Sequence, residues 1–413
     1  MTPEVKERIE QIQHGIVPEG YKRTKTDVVP EVWVDTPIAP YLHEYIEKTT
    51  TPNQHPVLTS ARKGLMLQTE YYSNRQVTTE DNVGYYVLPY GYVTFRSRSD
   101  DGRFRFNENK IIDRGIISYF YPVFSFGPEV CHAYMLQLLN ETIYRRMYPY
   151  IEGTAQQVLS MKKLGQLVYS LPPLTEQQRI AEILVHQDKV IDLKEKLLAE
   201  KQRQKKYLMQ QLLTRKKRLP GFDGEWKQNK LGKLFAERSE TKCEHLELLA
   251  ITGTQGVIPR SQLDLKDNSS EDKSKYLHIC VGDIGYNTMR MWQGVSAYSN
   301  YDGIVSPAYT ILKPSNDINA KYFAYLFKMP DVVFLFYRFS QGLVDDTRNL
   351  KYANFKKISV TYPADKEEQH AIVAVLEKAD LEIDLLRQSI EQEKQKKKAL
   401  MQLLLTGIVR VNT

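Results

Sequence analysis

Apolar residues recur every three to four positions from Leu174 to Thr214, a run of 41 residues that contains neither Gly nor Pro. Leu, Lys, Gln and Glu dominate it, and these side chains lose little rotamer freedom in a helix. Pro172 and Pro173 stand just before the run, and Thr175 offers an N-cap hydroxyl. At ~1.5 Å per residue the pattern predicts one helix of roughly 60 Å. It occurs twice. Shifting the chain by 192 residues lays Glu176–Arg218 on Glu368–Arg410 without a gap, and 17 of the 43 positions are identical. The matches include Glu176/Glu368, Gln177/Gln369, Asp188/Asp380 and Leu193/Leu385, so the chain carries an internal repeat. In the first copy Leu184, Ile191, Leu198, Lys205 and Leu212 fall seven apart, with Ile180 and Leu208 on the adjoining seam position. The second copy offers Leu376, Ile383, Ile390, Lys397 and Leu404 with Ile372, Ala379, Leu386 and Leu400. Such interrupted heptads predict a coiled coil, and a pseudo-twofold relation between the copies favours antiparallel pairing.

Shorter β-type runs fill the segments between the helices. HPVLTS, GYYVLPYGYVTFR and GIISYFYPVFSF mark a first globule over 30–172, which also holds an expected helix around His132–Arg146. A second globule over 219–362 repeats the plan: Trp226 matches Trp33, Ala250–Gly256 matches Leu58–Gly64, and Gly282–Tyr286 matches Gly91–Phe95. Asp113–Ser118 recurs as Tyr301–Ser306, and a helix over Ala320–Lys328 corresponds to the one near His132. The fold class is α+β: two pseudo-repeated globules joined by two long helices, 173–218 and 363–413, forming an antiparallel coiled coil. Residues 1–29 open with Val5, Ile9, Ile12 and Ile16 at helical spacing. Their His14-Gly15-Ile16-Val17 resembles Thr406-Gly407-Ile408-Val409, which predicts that this segment packs near the C-terminal helix. The helices keep their residues while the globules keep only a skeleton, so one part makes the same contact twice and the other makes two different contacts.

Composition narrows the class without choosing a function. A chain of 413 residues with 42% hydrophobic and 26% charged residues has the make-up of an ordinary soluble protein of two or three domains. No apolar run reaches the ~18 residues of a membrane span, and the polar start MTPEVKERIEQ is no signal peptide. The three cysteines, Cys131, Cys243 and Cys280, lie outside any CxxC, which argues against a disulfide framework or zinc site and fits a reducing cytoplasm. A net charge of +7 favours an anionic partner only weakly, and 27 tyrosines suit interfaces.

LTEQQRIAEIL, the block KKYLMQQLLT with its second copy KKALMQLLLT, and the junction RLPGFDGEWKQNKLGKLF resemble the specificity subunits of type I restriction-modification systems. The resemblance spans the whole chain, although Lys366-Glu367-Glu368-Gln369-His370 departs from a clean TEQQ at the second copy's start. It implies two target-recognition domains, each followed by a helical conserved region, in a non-catalytic subunit. Such a subunit reads a bipartite site in double-stranded DNA, one half per domain. Its helices set the spacing and dock two methyltransferase subunits, and restriction/translocase subunits join them. S-adenosylmethionine, ATP and Mg²⁺ would then be used on other subunits of an adenine-N6 methyltransferase and restriction complex, with no cofactor in this chain.

The sequence lacks what a self-contained enzyme would need. The only Pro-Pro, Pro172-Pro173, is not in an amino-methyltransferase box, no G-x-G-x-x-G occurs, and Pro330-Asp331 is not followed by a nuclease Asp/Glu-x-Lys. The eight histidines show no metal-ligand spacing, so no metal site is expected. Two readings compete with the DNA reader: a self-contained restriction or methylation enzyme, and a coiled-coil scaffold whose globules bind proteins. For DNA contact the strongest stretch is Phe95–Phe106, with Arg96, Arg98, Arg103 and Arg105 around an Asp101-Gly102 hairpin turn. Pairing across that turn sets Arg98 opposite Arg105, a repulsion that an anion would relieve; the alternative is a solvated basic hairpin. The matching place in the second globule carries Asn287, Arg290, Trp292 and Gln293. Further candidates are Arg62, Lys63, Asn74 and Arg75 in the first globule and Gln255, Arg260, Gln341 and Arg348 in the second. The basic runs Arg203–Lys206, Arg215–Arg218 and Lys394–Lys398 suit protein docking or backbone steering better than base readout.

Overall fold

The computed structural model describes residues 2–62, 64–72, 81–147, 157–253, 255–263, 272–342 and 344–411. It divides into two compact units, Met1–Lys194 with Ser389–Thr413, and Glu195–Gln388. The first contains α1 (Pro3–Gln13), β1 (Tyr21–Arg23), β2 (Val28–Pro30), β3 (Val34–Pro37), β4 (Leu42–Glu44), β5 (Leu58–Ala61), β6 (Gly64–Leu67) and α2 (Gln68–Tyr71). It continues through β7 (Tyr86–Pro89), β8 (Val93–Phe95), β9 (Arg98–Ser99), β10 (Phe106–Glu108), β11 (Arg114–Ile117), β12 (Val123–Phe126), α3 (His132–Met147), β13 (Gln157–Val158), α4 (Met161–Gln166) and β14 (Val168–Leu171). The long helix α5 (Leu174–Leu212) runs from the first unit into the second. There follow β15 (Trp226–Lys230), α6 (Leu231–Leu234), β16 (Phe235–Arg238), β17 (Leu249–Thr252), β18 (Gly256–Pro259), β19 (Leu277–Ile279), β20 (Ile284–Asn287), β21 (Ser296–Tyr298), β22 (Gly303–Val305) and β23 (Tyr309–Pro314). α7 (Ala320–Leu326), α8 (Pro330–Phe339), α9 (Tyr352–Phe355), β24 (Ser359–Pro363) and the second long helix α10 (Lys366–Leu404) complete the chain.

The internal repeat extends to the sheets. The first unit builds a four-stranded sheet in the order β10-β8-β12-β4, and the second builds β21-β20-β23-β16. The pairs β11-β7, β14-β3 and β5-β6 recur as β22-β19, β24-β15 and β17-β18. Even the isolated parallel bridge Val57–Ile116 has its counterpart in Leu248–Ile304. Where the first unit has one helix, α3, the second has α7 and α8, because Pro330 cannot continue α7 and instead starts a new helix.

Each globule's core includes the ends of both long helices. In the first unit Phe95, Phe106, Phe124 and Tyr134 pack with Ile180, Ala181 and Leu184 of α5 and Met401, Leu404 and Leu405 of α10, with Leu400 against them. In the second, Phe235, Phe323, Phe327 and Phe355 pack with Leu212 and Leu213 of α5 and Ile372, Val373 and Leu376 of α10, with Leu208 against them. Along the rest of the seam Ile383 and Ile390 are buried, while Ile191 and Leu198 are half-buried. The apolar ends of 173–218 and 363–413 thus complete the cores of the globules they adjoin.

Polar pairs fix the antiparallel register within each unit. In the first, Lys397 pairs with Asp188 at 2.6 Å, and Lys194 and Gln187 both reach Glu393. In the second, Lys205 pairs with Asp380 and Lys201 with Glu382. Lys397–Asp188 and Lys205–Asp380 are the same pair seen in each copy.

Two buried residues tie each helix start to its globule. The Gln177 side chain accepts from the Cys131 N–H that opens α3 and donates to the Pro172 carbonyl; Gln369 does the same with Asn319 and Pro363. Glu176, 1% exposed, receives Arg410 and the Trp33 indole, and Glu368, also 1% exposed, receives Arg218. One expectation at this end fails: α5 begins at Leu174, so Thr175 lies inside the first turn and is not the N-cap.

The N-terminal segment packs against the end of α10. The Tyr21 hydroxyl donates to the Gly407 carbonyl, and Arg8 donates to the Ile408 carbonyl. Gly407 has φ +72, and a Cβ there would lie within 3 Å of Pro30 and Trp33, so glycine is required by both conformation and space. α1 ends in the same left-handed turn, at Gly15 with φ +77, as the likeness of the two tetrapeptides implied. Among the described residues no helix is long and apolar enough to cross a membrane.

Candidate nucleic-acid interface

In the first unit the tip of the β5–β6 hairpin and the segment after β8 line one cleft of about 480 Å³. Arg62 comes from the hairpin tip, and Arg96, Arg98, Arg103 and Arg105 come from the segment between β8 and β10. Five residues proposed from sequence thus share one concavity. Tyr71, Tyr72 and Tyr121 line it as well and were not singled out; the Tyr71-Tyr72 doublet beside the hairpin was the available signal. Lys63, Asn74 and Arg75 lie outside the described residues.

The hairpin register differs from the expected one. Phe106 pairs with Phe95, and Arg98 leaves the hairpin to pair through its backbone with Val158 on β13, so Arg98 does not face Arg105. Phe95 and Phe106 are at most 1% exposed and their rings lie 4.9 Å apart, so burial of two aromatic faces sets the register. Asp101-Gly102 forms a bend, with Gly102 at φ +71, but not the expected two-residue hairpin turn, because the whole 96–105 segment connects the paired Phe95 and Phe106. Asp101 accepts from the Ser99 hydroxyl and the Arg103 N–H and pairs with Arg62. Burial alone would raise its carboxyl; these donors hold it below the usual carboxylate range. The Arg98 guanidinium lies 4.6 Å over the Phe120 ring and that of Arg103 5.5 Å from Tyr144. Arg96 is exposed and has no carboxylate partner among the described residues. The cleft therefore presents guanidinium donors, two of them over aromatic rings, beside tyrosine side chains.

The second unit uses the same two elements with different side chains. β20, the counterpart of β8, ends at Asn287, whose side chain accepts from the Met289 N–H. The following turn carries Arg290, Trp292 and Gln293, and Lys328 holds it from beneath by donating to the Gly294 and Ser296 carbonyls. Burial pushes the Lys328 ammonium down to about 8. Arg290 is exposed and makes no side-chain bond among the described residues. The Trp292 indole donates to the Met289 carbonyl, and its ring meets Tyr337 at 6.2 Å. Gln255 occupies the β17–β18 hairpin tip, the place of Arg62 in the first unit. Gln341 is exposed at a bridge to Asn349, and the adjoining Leu350 N–H donates to Thr288.

Two candidates stand apart from this group. Arg260 follows β18 at the end of the hairpin away from Gln255, where its backbone N–H donates to Leu248. Arg348 is committed internally, to Asp345 and to the hydroxyl and ring face of Tyr337. Tyr337, missed in the sequence, is what links Arg348 to Trp292.

Known proteins share this organisation. The model of the type I restriction modification DNA specificity domain matches residues 43–203 and again 224–395. A putative type I restriction enzyme specificity subunit, MjaX, from Methanocaldococcus jannaschii is 26% identical over 307 residues, 68% of each chain. The crystal structure of the type I restriction-modification S subunit from M. genitalium superposes with a TM-score of 0.54 at 14% identity, covering 96% of this chain and 100% of that one. A chain from a structure of type I R-M complex assembly and conformational transition gives 0.54 at 15% identity, with coverage of 92% and 99%. Two specificity-domain matches over most of the chain, on a fold whose central sheet and three strand pairs recur in both units, place it in the family of type I restriction-modification DNA specificity subunits.

Proposed function

We propose that the first unit reads one half of a bipartite duplex target through the Arg62–Arg96–Arg98–Arg103–Arg105 cleft, and that the second reads the other half through Asn287, Arg290, Trp292, Gln293, Gln255 and Gln341. One observation carries this reading: the same two elements, a hairpin tip and the segment after the central strand, bear guanidinium groups in one unit and amides, one arginine and an aromatic ring in the other. Guanidinium forks suit guanine edges and phosphates, whereas amides suit adenine edges. The two half-sites then differ in base composition while the scaffold presenting them stays the same.

The repeated helices suit docking of two methyltransferase subunits. Leu193 and Leu385 are the same residue in the two copies and are each 55% exposed, so each copy offers the same apolar side chain to a partner. Methyl transfer with S-adenosylmethionine, and cleavage with ATP and Mg²⁺ by restriction/translocase subunits, would then belong to those partners. Titrating the chain with duplex at rising salt tests DNA reading: affinity should fall steeply, with a slope of about −0.9 per phosphate neutralised. A flat response would favour a protein scaffold, and methyl transfer by the chain alone would overturn the non-catalytic assignment. Methylome sequencing of a host with and without the gene should yield two half-sites separated by a fixed spacer.

A further inference from the structure

The second unit gathers a mixed sulfur, nitrogen and oxygen donor set away from the turn proposed to meet DNA. Pairing of β19 with β22 sets Ile279 beside Gly303 and His278 beside Ile304. That register brings Cys280, just after β19, and Asp302, just before β22, to the imidazole of His278. His278 Nε2 lies 3.0 Å from Asp302 Oδ1 and 3.6 Å from Cys280 Sγ, and the three donor atoms all fall within 4.8 Å of one another. A tetrahedral zinc ion with bonds of ~2.0–2.3 Å needs its ligand atoms about 3.3–3.8 Å apart. The other imidazole nitrogen, Nδ1, lies 3.0 Å from Glu240 Oε2, and the backbone N–H of His278 donates to the Glu240 carbonyl. A carboxylate on the far nitrogen is how metal-bound histidines are oriented, with the near nitrogen left free to ligate. Cys280 is fixed in turn, because its N–H donates to Asp283, which Arg238 pairs at 2.7 Å.

Charge adds a second argument. Two carboxylates, Glu240 and Asp302, converge on one imidazole, and Arg238 is engaged with Asp283, approaching Glu240 only at 3.5 Å. A protonated His278 offsets one of the two negative charges, whereas a divalent cation on Nε2 would offset both. Linear spacing predicts no metal site, because Asp302 and Glu240 reach the His278–Cys280 segment only through the strand pairing.

We propose that the second unit binds one thiophilic divalent transition ion of the zinc class through Cys280 Sγ, His278 Nε2 and Asp302 Oδ1, with water in the fourth position and Glu240 orienting the imidazole. The ion would staple the start of β22 to the end of β19. This site does not depend on the DNA-reading assignment, and its test needs no DNA.

Zinc content of the purified full chain after exhaustive dialysis, with cobalt(II) titration of the stripped protein, tests it. The expected result is one equivalent of zinc and one tetrahedral cobalt spectrum with a thiolate charge-transfer band. Cys280→Ser should abolish the band, and His278→Ala should reduce bound zinc at least tenfold. Cys243→Ser should retain both signals, although Cys243 forms the other triad of donors with Glu240 and His278. Circular dichroism of each variant checks that the fold persists. Substoichiometric zinc in the folded parent chain, or a cobalt spectrum without thiolate charge transfer, would overturn the proposal, as would loss of both signals in folded Cys243→Ser.

Discussion

Arg96 directly follows β8 and Arg290 lies in the turn after β20, and both are exposed. Their substitution should therefore separate the two half-sites. Arg96→Ala should relax base preference in one half only, and Arg290→Ala in the other, each by ~1–3 kcal/mol at the affected position. Selection of preferred sites from a randomised duplex library measures this; uniform weakening over all sequences would reduce either residue to a phosphate contact. Buried carboxylates allow a second comparison at this scale. Removing Arg410 leaves Glu176 with the Trp33 indole as donor, but removing Arg218 leaves Glu368 with no side-chain donor among the described residues. Arg218→Ala should therefore destabilise the chain more than Arg410→Ala, by on the order of 1–3 kcal/mol for an unsatisfied buried group. Denaturant unfolding of the two variants gives the difference, and equal losses would show that the indole bond contributes nothing.

The elements show which signals a sequence carries and which it withholds. The long helices were legible because Gly and Pro are absent and the apolar period persists, and the repeat was legible because identical residues fall at one fixed shift. The reason for those identities was not. Glu176 meets Arg410 and Glu368 meets Arg218 across 234 and 150 residues, so their roles emerge only in the folded chain. The β8–β10 hairpin failed in the opposite way. Asp101-Gly102 bends the chain but is not a two-residue hairpin turn, and the strand register follows the buried Phe95 and Phe106. Arg62 and the Arg96–Arg105 group were found by charge, while Tyr71, Tyr72, Tyr121 and Tyr337 were lost among 27 tyrosines. At the helix surface the expectation is specific: Leu193→Asp with Leu385→Asp should leave DNA binding by the isolated chain unchanged and weaken capture of modification subunits at least tenfold. Pull-down beside a DNA titration reads both, and unaltered capture would remove these leucines from the docking face.

At the scale of the whole chain, the repeat is covalent at one junction and non-covalent at its counterpart. After α5 the backbone turns through Arg215, at φ +62, and passes through the 216–225 segment to Trp226 and β15. After α10 it turns through Gly407, at φ +72, and there the link to the first globule is made by contacts: Tyr21 on the Gly407 carbonyl, Arg8 on the Ile408 carbonyl, and Pro30 and Trp33 packed against Gly407. If those contacts do what the covalent junction does, the location of the break is immaterial. A circular permutant opened in the exposed 221–225 segment, with Val411 joined to Thr2 by a Gly/Ser linker of about 8 residues spanning up to ~25 Å, should fold with a melting temperature within a few degrees of the parent's. It should also prefer the same two half-sites, because each recognition surface lies wholly within one unit and α5 and α10 remain intact. Thermal unfolding and site selection check the two halves of the expectation. A permutant that folds but reads different bases would mean that the junction itself positions the recognition surfaces. One that fails to fold would mean that the covalent turn at Arg215 carries information that the contacts at Gly407 do not supply.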